Sequence, residues 1–385
     1  MVAALFGLSA FLLCLHLLSI ALFLRRPGSA PRAGGLFGRP PVTLLRPACG
    51  RDAFDEETLG SSFHLDYPDY KVIFCVQRTN DPVLPLLRHL MAAYPHVPST
   101  LLIGDARETG NPKLDNVLKG WDAATTEWVC MTDSNLLLPR DYLATLIDSW
   151  GPDTGLVSAP PYGSRPEGWA ARLECAFLNG NQARLQYLAD SLGRGFAQGK
   201  TLFFNKPLLD RAGGLRLLGR QLAEDVAATR TIRGMNRRVT LAPLPYPQPI
   251  GRRKLGDVVS RQLRWSRVRR DGFPGFFLLE PMNGAVLPTA SLATALLATG
   301  QDLHLALAYA ALWYLGEAIL MRRAGWPAGW RNIAVLPLRD LAIPAIWAAT
   351  FLSRSFEWRG TAMGPEERPA PALAGLSAAA TAAAK

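Results

Sequence analysis

Apolar positions are unevenly spread along the chain. From Val2 to Leu24 they run nearly unbroken, interrupted only by Ser9, His16 and Ser19, and the run ends on Arg25-Arg26. A helix of roughly 20 such residues covers the hydrocarbon thickness of a bilayer. A cleaved secretory leader would carry its positive charge ahead of a shorter apolar stretch, so a membrane anchor is expected. The arginine pair then places the chain beyond it on the cytoplasmic side. Residues 27–41, rich in Gly, Pro and Arg, read as a linker.

From 42 to about 255 short apolar runs alternate with helical spacing. Val42–Leu45, Lys71–Val76, Thr100–Ile103, Trp128–Met131 and Gly155–Ser158 read as strands buried on both faces. Pro82–Ala93, Leu114–Ala123 and Arg140–Trp150 show helical spacing between them. This alternation predicts an α/β domain with a mostly parallel sheet covered on both sides. Ligands bind such sheets at the carboxyl ends of the strands. Residues 256–275 form a basic, amphipathic, interfacial segment. Within 276–360, Phe276–Leu297 and Leu303–Met321 are long and apolar enough to span. Leu336–Leu352 is interrupted by Arg339 and Asp340, and each buried charge costs roughly 2.5–3.5 kcal/mol on insertion scales. That segment is therefore expected to lie in the cytosolic interface or re-enter; pairing of Arg339 with Asp340 inside a spanning bundle is the competing account. The tail, 361–385, is low in complexity.

Charge narrows the partners. The formal net charge of +11 is concentrated in Arg230–Arg238, Arg252–Lys254 and Arg261–Arg270, the last interleaved with Trp265 and Val268. Beside apolar helices such a segment suits an anionic membrane surface, and no nucleic-acid motif accompanies it. Cys14, Cys49, Cys75, Cys130 and Cys175 are odd in number and form no C-x-x-C pair, so neither a disulfide framework nor a zinc site is indicated.

Several polar groups lie just past the predicted strands. Asp133, in Thr132-Asp133-Ser134-Asn135, is placed to hold a divalent cation against a diphosphate, though Asp after a strand also serves as a turn residue. Asp81-Pro82 reads equally as a helix start. Asn111-Pro112-Lys113 could bring amide groups and a lysine to phosphate, or form a solvated turn. Glu224-Asp225 could merely stabilise a helix dipole. Arg261 and Arg264 share one helical face, with Trp265 adjacent.

The order of these words is more specific than any one of them. Leu44-Leu45-Arg46-Pro47, Leu65-Asp66-Tyr67-Pro68, Cys75-Val76-Gln77, Asp81-Pro82, Gly110-Asn111-Pro112-Lys113 and Asp133-Ser134 come first. Ala212-Gly213-Gly214, Ala223-Glu224-Asp225 and Arg261-Gln262-Leu263-Arg264-Trp265 come after them. In this succession the chain resembles the ceramide glucosyltransferases of glycosyltransferase family 21 and bacterial relatives that glycosylate ceramide, diacylglycerol or hopanoids. The resemblance implies a GT-A-like nucleotide-sugar-binding sheet in a multi-pass protein of a bacterial inner membrane. It implies an inverting hexosyltransferase using a UDP-sugar, UDP-glucose first, on a membrane lipid such as ceramide. Asp81 would hold the uridine, Lys113 would lie near the nucleotide, and Asp133 would bind Mg²⁺ or Mn²⁺. Asp225 would be the general base, and Arg261, Arg264 and Trp265 would close over diphosphate and acceptor.

Three departures stand out. Asn135 replaces the second carboxylate of a D-x-D pair, Asp115 stands where the family usually has Asn, and Asn181 lies near the place of a donor-side His. A hopanoid N-acetylglucosaminyltransferase or a processive diacylglycerol glycosyltransferase is the alternative activity. A polysaccharide synthase would need a larger helical pore, and a decayed scaffold would have lost Asp81, Asp133 or Asp225.

Overall fold

In the computed structural model, residues 1–28, 37–104, 107–109, 111–219 and 223–352 are described, with the backbone of 356–358 and 361–363. Most of the expected linker and nearly all of the low-complexity tail lie outside the described residues.

The predicted strands form and extend slightly. They are β1 (Val42–Ala48), β2 (Tyr70–Val76), β3 (Ser99–Ile103), β4 (Trp128–Thr132) and β5 (Thr154–Ser158). Four more are β6 (Pro161–Glu167), β7 (Thr201–Asn205), β8 (Arg238–Leu241) and β9 (Tyr246–Arg252). Seven strands make one sheet in the order β3-β2-β1-β4-β7-β5-β8, and β6 pairs with β9 separately. The sheet is mostly parallel, as expected, but β7 runs antiparallel to both β4 and β5. Alternating side chains supply two cores. Leu44, Val72, Phe74, Cys130 and Phe203 face one side; Leu45, Ile73, Cys75, Met131 and Phe204 face the other. Edge strand β3 departs from the expectation, because two of its residues are exposed and the rest are only partly buried.

Helix Pro112–Ala123 packs close to the sheet at Gly120, where a Cβ would stand 2.6 Å from Cys75 Sγ. That contact fixes the helix axis, and with it the direction in which its N-terminus points.

Among the described residues three helices are long and apolar enough to cross a membrane: Val2–Leu24, His304–Arg323 and Trp330–Ala349. The expected single span Phe276–Leu297 is corrected. It is broken into Pro274–Leu278, a 3₁₀ turn Glu280–Asn283 and a 13-residue helix Val286–Ala298. Asp340 is the physical reason for the break. Its carboxylate accepts the Ala285 N–H at 2.9 Å, and a Cβ on Gly284 would meet that carboxyl at 2.8 Å. A bent backbone there delivers a free N–H to a buried charge, which a continuous helix cannot do.

Arg339 and Asp340 do pair, and Glu317 joins them. Arg339 reaches Glu317 Oε2 at 2.7 Å and Asp340 Oδ1 at 2.6 Å, all three side chains being buried. Yet the two ends of helix Leu336–Ala349 also touch elements outside the apolar helices, one in the sheet domain and one in the segment 256–275. Arg339 lies against the Ala176 carbonyl, and Thr350 Oγ1 bonds Ser266 at 3.1 Å. Ile343 and Ile346 pack on Leu173, Phe177 and Leu263.

The joint between the apolar helices and the sheet domain is tight. Arg26 pairs with Asp190 at 2.9 Å and lies 4.4 Å over the Tyr187 ring. Arg184 bonds Ser19 of the first helix and the Gly180 carbonyl. Gly180 sits in a π-helical turn, Phe177–Ala183, where a Cβ would fall 2.6 Å from Glu317 Oε2. Only glycine lets the turn approach that ion pair so closely.

Candidate active site

The site is built where the strands end. Asp133 comes directly after β4 and Lys200 directly before β7. Because these strands are antiparallel with Thr132 opposite Thr201, residues 133 and 200 are cross-strand neighbours. The Asp133 N–H donates to the Lys200 carbonyl at 3.2 Å. Lys200 Nζ then stands 2.9 Å from Asp133 Oδ2 and 3.0 Å from Asn135 Oδ1.

The other Asp133 oxygen belongs to Lys113. Asn111 caps helix Pro112–Ala123, its side chain accepting from the Lys113 and Leu114 N–H groups, and Pro112 occupies the first turn. The helix-start and phosphate-facing readings of this word are therefore compatible, because the cap positions the lysine. Lys113 Nζ lies 2.7 Å from Asp133 Oδ1, 2.7 Å from Glu224 Oε1 and 2.6 Å from the Gly199 carbonyl. Asn111 Nδ2 donates to the second Glu224 oxygen at 3.1 Å. A half-buried row results: Glu224, Lys113, Asp133, Lys200, Asn135.

Burial alone would raise the Asp133 carboxyl, but the two ammonium groups override it and hold Asp133 far below the usual carboxylate range. Lys113 is pushed up despite its burial, because Asp133 and Glu224 flank it. Lys200 is pushed down, by burial first, with Lys113 and Arg261 adding repulsion. Arg261 is thus close enough to Lys200 for its charge to be felt.

Asp225 differs from its neighbours. It stands in the first turn of helix Glu224–Gly234 and accepts the Val226 N–H at 2.8 Å and the Gly199 N–H at 3.3 Å. Burial pushes its carboxyl up to about 6, and the Glu224 charge adds to the rise. Such a group changes ionisation near neutral pH, as a general base must. Gly199 keeps the centre tight, since a Cβ there would stand 2.6 Å from Glu224 Oε1.

Asp81 lies apart from this row. Its oxygens accept the Gly50 N–H at 3.0 and 3.1 Å, and Oδ1 also accepts from Val83 N. It lies past the end of β2, two strands from β4, a lateral offset of roughly 10 Å. That distance suits the two ends of a nucleoside diphosphate.

Arg261, Arg264 and Trp265 project from helix Leu255–Gly272. Arg261 contacts Glu174, whose side chain is fully buried and also lies 3.7 Å from Arg253. Trp265 is partly buried against Ala171, Cys175, Leu178 and Ile250. Gln182 and Gln262 link the π-helical turn to this helix at 3.0 Å. Asn181 Oδ1, Gln182 Oε1, Gln198 Oε1 and Gln262 Nε2 are buried with no protein hydrogen-bond partner.

The metal role implied for Asp133 meets a different arrangement. Both Asp133 oxygens and the Asn135 oxygen already face ammonium groups. Among the described residues no three His, Cys, Asp or Glu side chains group to hold an ion. A divalent cation would have to displace Lys200, so these residues as placed do not fit one.

Lys200 and Glu174 were not singled out by sequence reasoning, and Glu224 only as part of a helix start. Their signals were faint: a Gly-Lys pair before an apolar strand, and one acid inside an apolar helix.

Comparison with known proteins bears on these features. The family model described as glycosyl transferase family 21 matches residues 1–368. Ceramide glucosyltransferase 3 of Caenorhabditis elegans is 25% identical over 247 residues, which are 63% of this chain and 54% of that protein. The ceramide glucosyltransferase of Komagataella phaffii is 36% identical over 112 residues, 28% of this chain and 22% of the relative. The chain thus spans about half the length, or less, of the curated relatives it matches. Among solved structures, mannosyltransferase PcManGT from Pyrobaculum calidifontis, in complex with GDP-Man and Mn²⁺, aligns with a TM-score of 0.48 at 20% identity. The alignment covers 88% of this chain and 99% of that one.

Proposed function

The chain belongs to glycosyl transferase family 21, and from that premise we propose that it is a membrane-bound, inverting hexosyltransferase. Its donor is a UDP-sugar, most simply UDP-glucose, and its acceptor is the hydroxyl of a membrane lipid of the ceramide type. The observation that carries this reading is Asp225. It is a half-buried carboxyl raised to about 6, linked through Glu224 and Lys113 to the ammonium groups at Asp133.

Asp225 takes the proton of the lipid hydroxyl as its oxygen attacks the anomeric carbon. The bond from that carbon to the diphosphate breaks, and the nucleoside diphosphate leaves with the electron pair. One such displacement inverts the configuration, so an α-linked donor gives a β-glycoside. Lys113 orients the Asp133 end of the site, and Arg261 and Arg264 offer forked donors to the departing phosphates. Asp81 holds the nucleoside end, and Trp265 presents a face to the acceptor. No step is routed through a divalent ion, because the residues implied for it are already engaged.

The first helix crosses the bilayer, the short apolar helix Val286–Ala298 leads back out and His304–Arg323 returns, so the sheet domain and the chain beyond Arg323 lie on the cytosolic side, tethered through Arg26 and Asp190. Helix Leu336–Ala349 lies in the cytosolic interface, a placement supported by its contacts with Ala176 and Ser266. The deciding experiment incubates membranes containing the protein with labelled UDP-sugars and ceramide, diacylglycerol and hopanoid acceptors. A β-glucosyl ceramide that disappears with Asp225→Asn supports the reading. Transfer to a different lipid would replace the acceptor, and no transfer to any would remove the activity.

A further inference from the structure

In nucleotide-sugar chemistry the charge of the departing diphosphate must be met by a cation, usually a metal ion held by acidic side chains. Here the position between residues 133 and 135 already holds one. Lys200 Nζ bridges the Asp133 carboxylate and the Asn135 amide oxygen at 2.9 and 3.0 Å. This placement is fixed by the sheet, since the pairing of Thr132 with Thr201 brings residue 200 beside residue 133. Asn135 suits an ammonium better than a divalent ion. Its neutral oxygen accepts a hydrogen bond but adds no negative charge, and hard divalent cations favour anionic oxygen sets. Lys113 takes the remaining Asp133 oxygen at 2.7 Å, so each carboxylate oxygen already faces an ammonium group. Gln198, two residues before Lys200, has a buried Oε1 without a protein hydrogen-bond partner.

We propose that Lys200 is the chain's own cation, taking the place of a divalent metal between Asp133 and Asn135 and neutralising the leaving diphosphate. This rests on the nucleotide-sugar reading above. Lys200 needs only to rotate one of its three N–H donors from protein to phosphate oxygen. The reaction then runs without a dissociable ion.

The test uses the full chain in detergent or nanodiscs, stripped with chelator, and measures UDP binding by calorimetry with and without Mn²⁺. The stripped wild type should bind UDP, and Mn²⁺ should change its affinity by less than about threefold. Lys200→Met should lose about tenfold or more, the scale of one charge-assisted hydrogen bond. Mn²⁺ should restore part of that loss by entering the vacated position. Lys200→Arg, which keeps a cation, should bind without metal and shows that the loss is not misfolding. The proposal is overturned if stripped wild type binds UDP only after Mn²⁺ is added, or if Lys200→Met binds like wild type. Failure of the wild type to bind UDP under either condition would overturn the donor reading itself, and this proposal with it.

Discussion

If Asp225 is the general base, the rate must track its ionisation. Burial, and then the Glu224 charge, place its carboxyl at about 6. The carboxylate fraction is then about 0.9 at pH 7 and about 0.1 at pH 5, so kcat/KM should fall roughly tenfold between them. The sign comes from the role, because a base acts deprotonated and activity is lost as pH falls through its pKa. Replacing Glu224 with Gln removes the neighbouring negative charge and leaves Lys113 to favour the Asp225 carboxylate. The acidic limb should therefore move to lower pH, though not to the ordinary carboxylate range, since burial is the larger cause and persists. Asp225→Asn should abolish the limb and lower the rate by roughly 10²–10⁴-fold, the usual worth of a positioned base. Initial rates of labelled sugar transfer into lipid, in buffers of constant ionic strength from acid to neutral pH, measure all three. A flat profile between pH 5 and 7 would refute the assignment, as would a limb that rises in Glu224→Gln.

The same structure sets four further outcomes. Arg264→Lys should be severely impaired although charge is retained, because an ammonium cannot reproduce a forked contact; Trp265→Ala should chiefly raise the apparent KM for lipid in the same steady-state assay. Arg339→Leu strands the buried Glu317 and Asp340 carboxylates and should destabilise the protein by roughly 3–5 kcal/mol, read as a lowered melting temperature in detergent; unchanged melting would mean the trio is not buried. Cysteine at Ser377, in a background without native cysteines, should react with an impermeant thiol reagent only after the membrane is opened, and labelling of intact cells would refute an interfacial tail helix.

The sheet was largely legible because β1, β2, β4 and β5 are buried on both faces and read as continuous apolar runs. β7 escaped, since Thr201–Asn205 has the same composition as its neighbours and nothing local says that it runs the other way. That reversal is what brings Lys200 to Asp133, so the cation at the centre of the site was invisible for the same reason. Asp225 and Lys113 were recoverable through the ordered words of the family resemblance, yet their ionic link through Glu224 joins positions 111 residues apart. The broken helix at Glu280–Asn283 was missed because hydropathy does not register one buried carboxylate's demand for an N–H.

The π-helical turn Phe177–Ala183 has a practical corollary. It belongs to the sheet domain, yet Gly180 leaves no gap against Glu317 and Arg339, and Arg184 reaches Ser19 of the first helix. Cutting away the apolar helices to obtain a soluble enzyme would lay bare the surface of the sheet domain around Gly180. It would also leave Arg184 without its serine partner. The seam ties the sheet domain to the apolar helices at one height along their length. On the lipid-acceptor reading proposed above, the hydroxyl must be lifted to that one level, and acceptors whose hydroxyl stays deeper should be poor substrates.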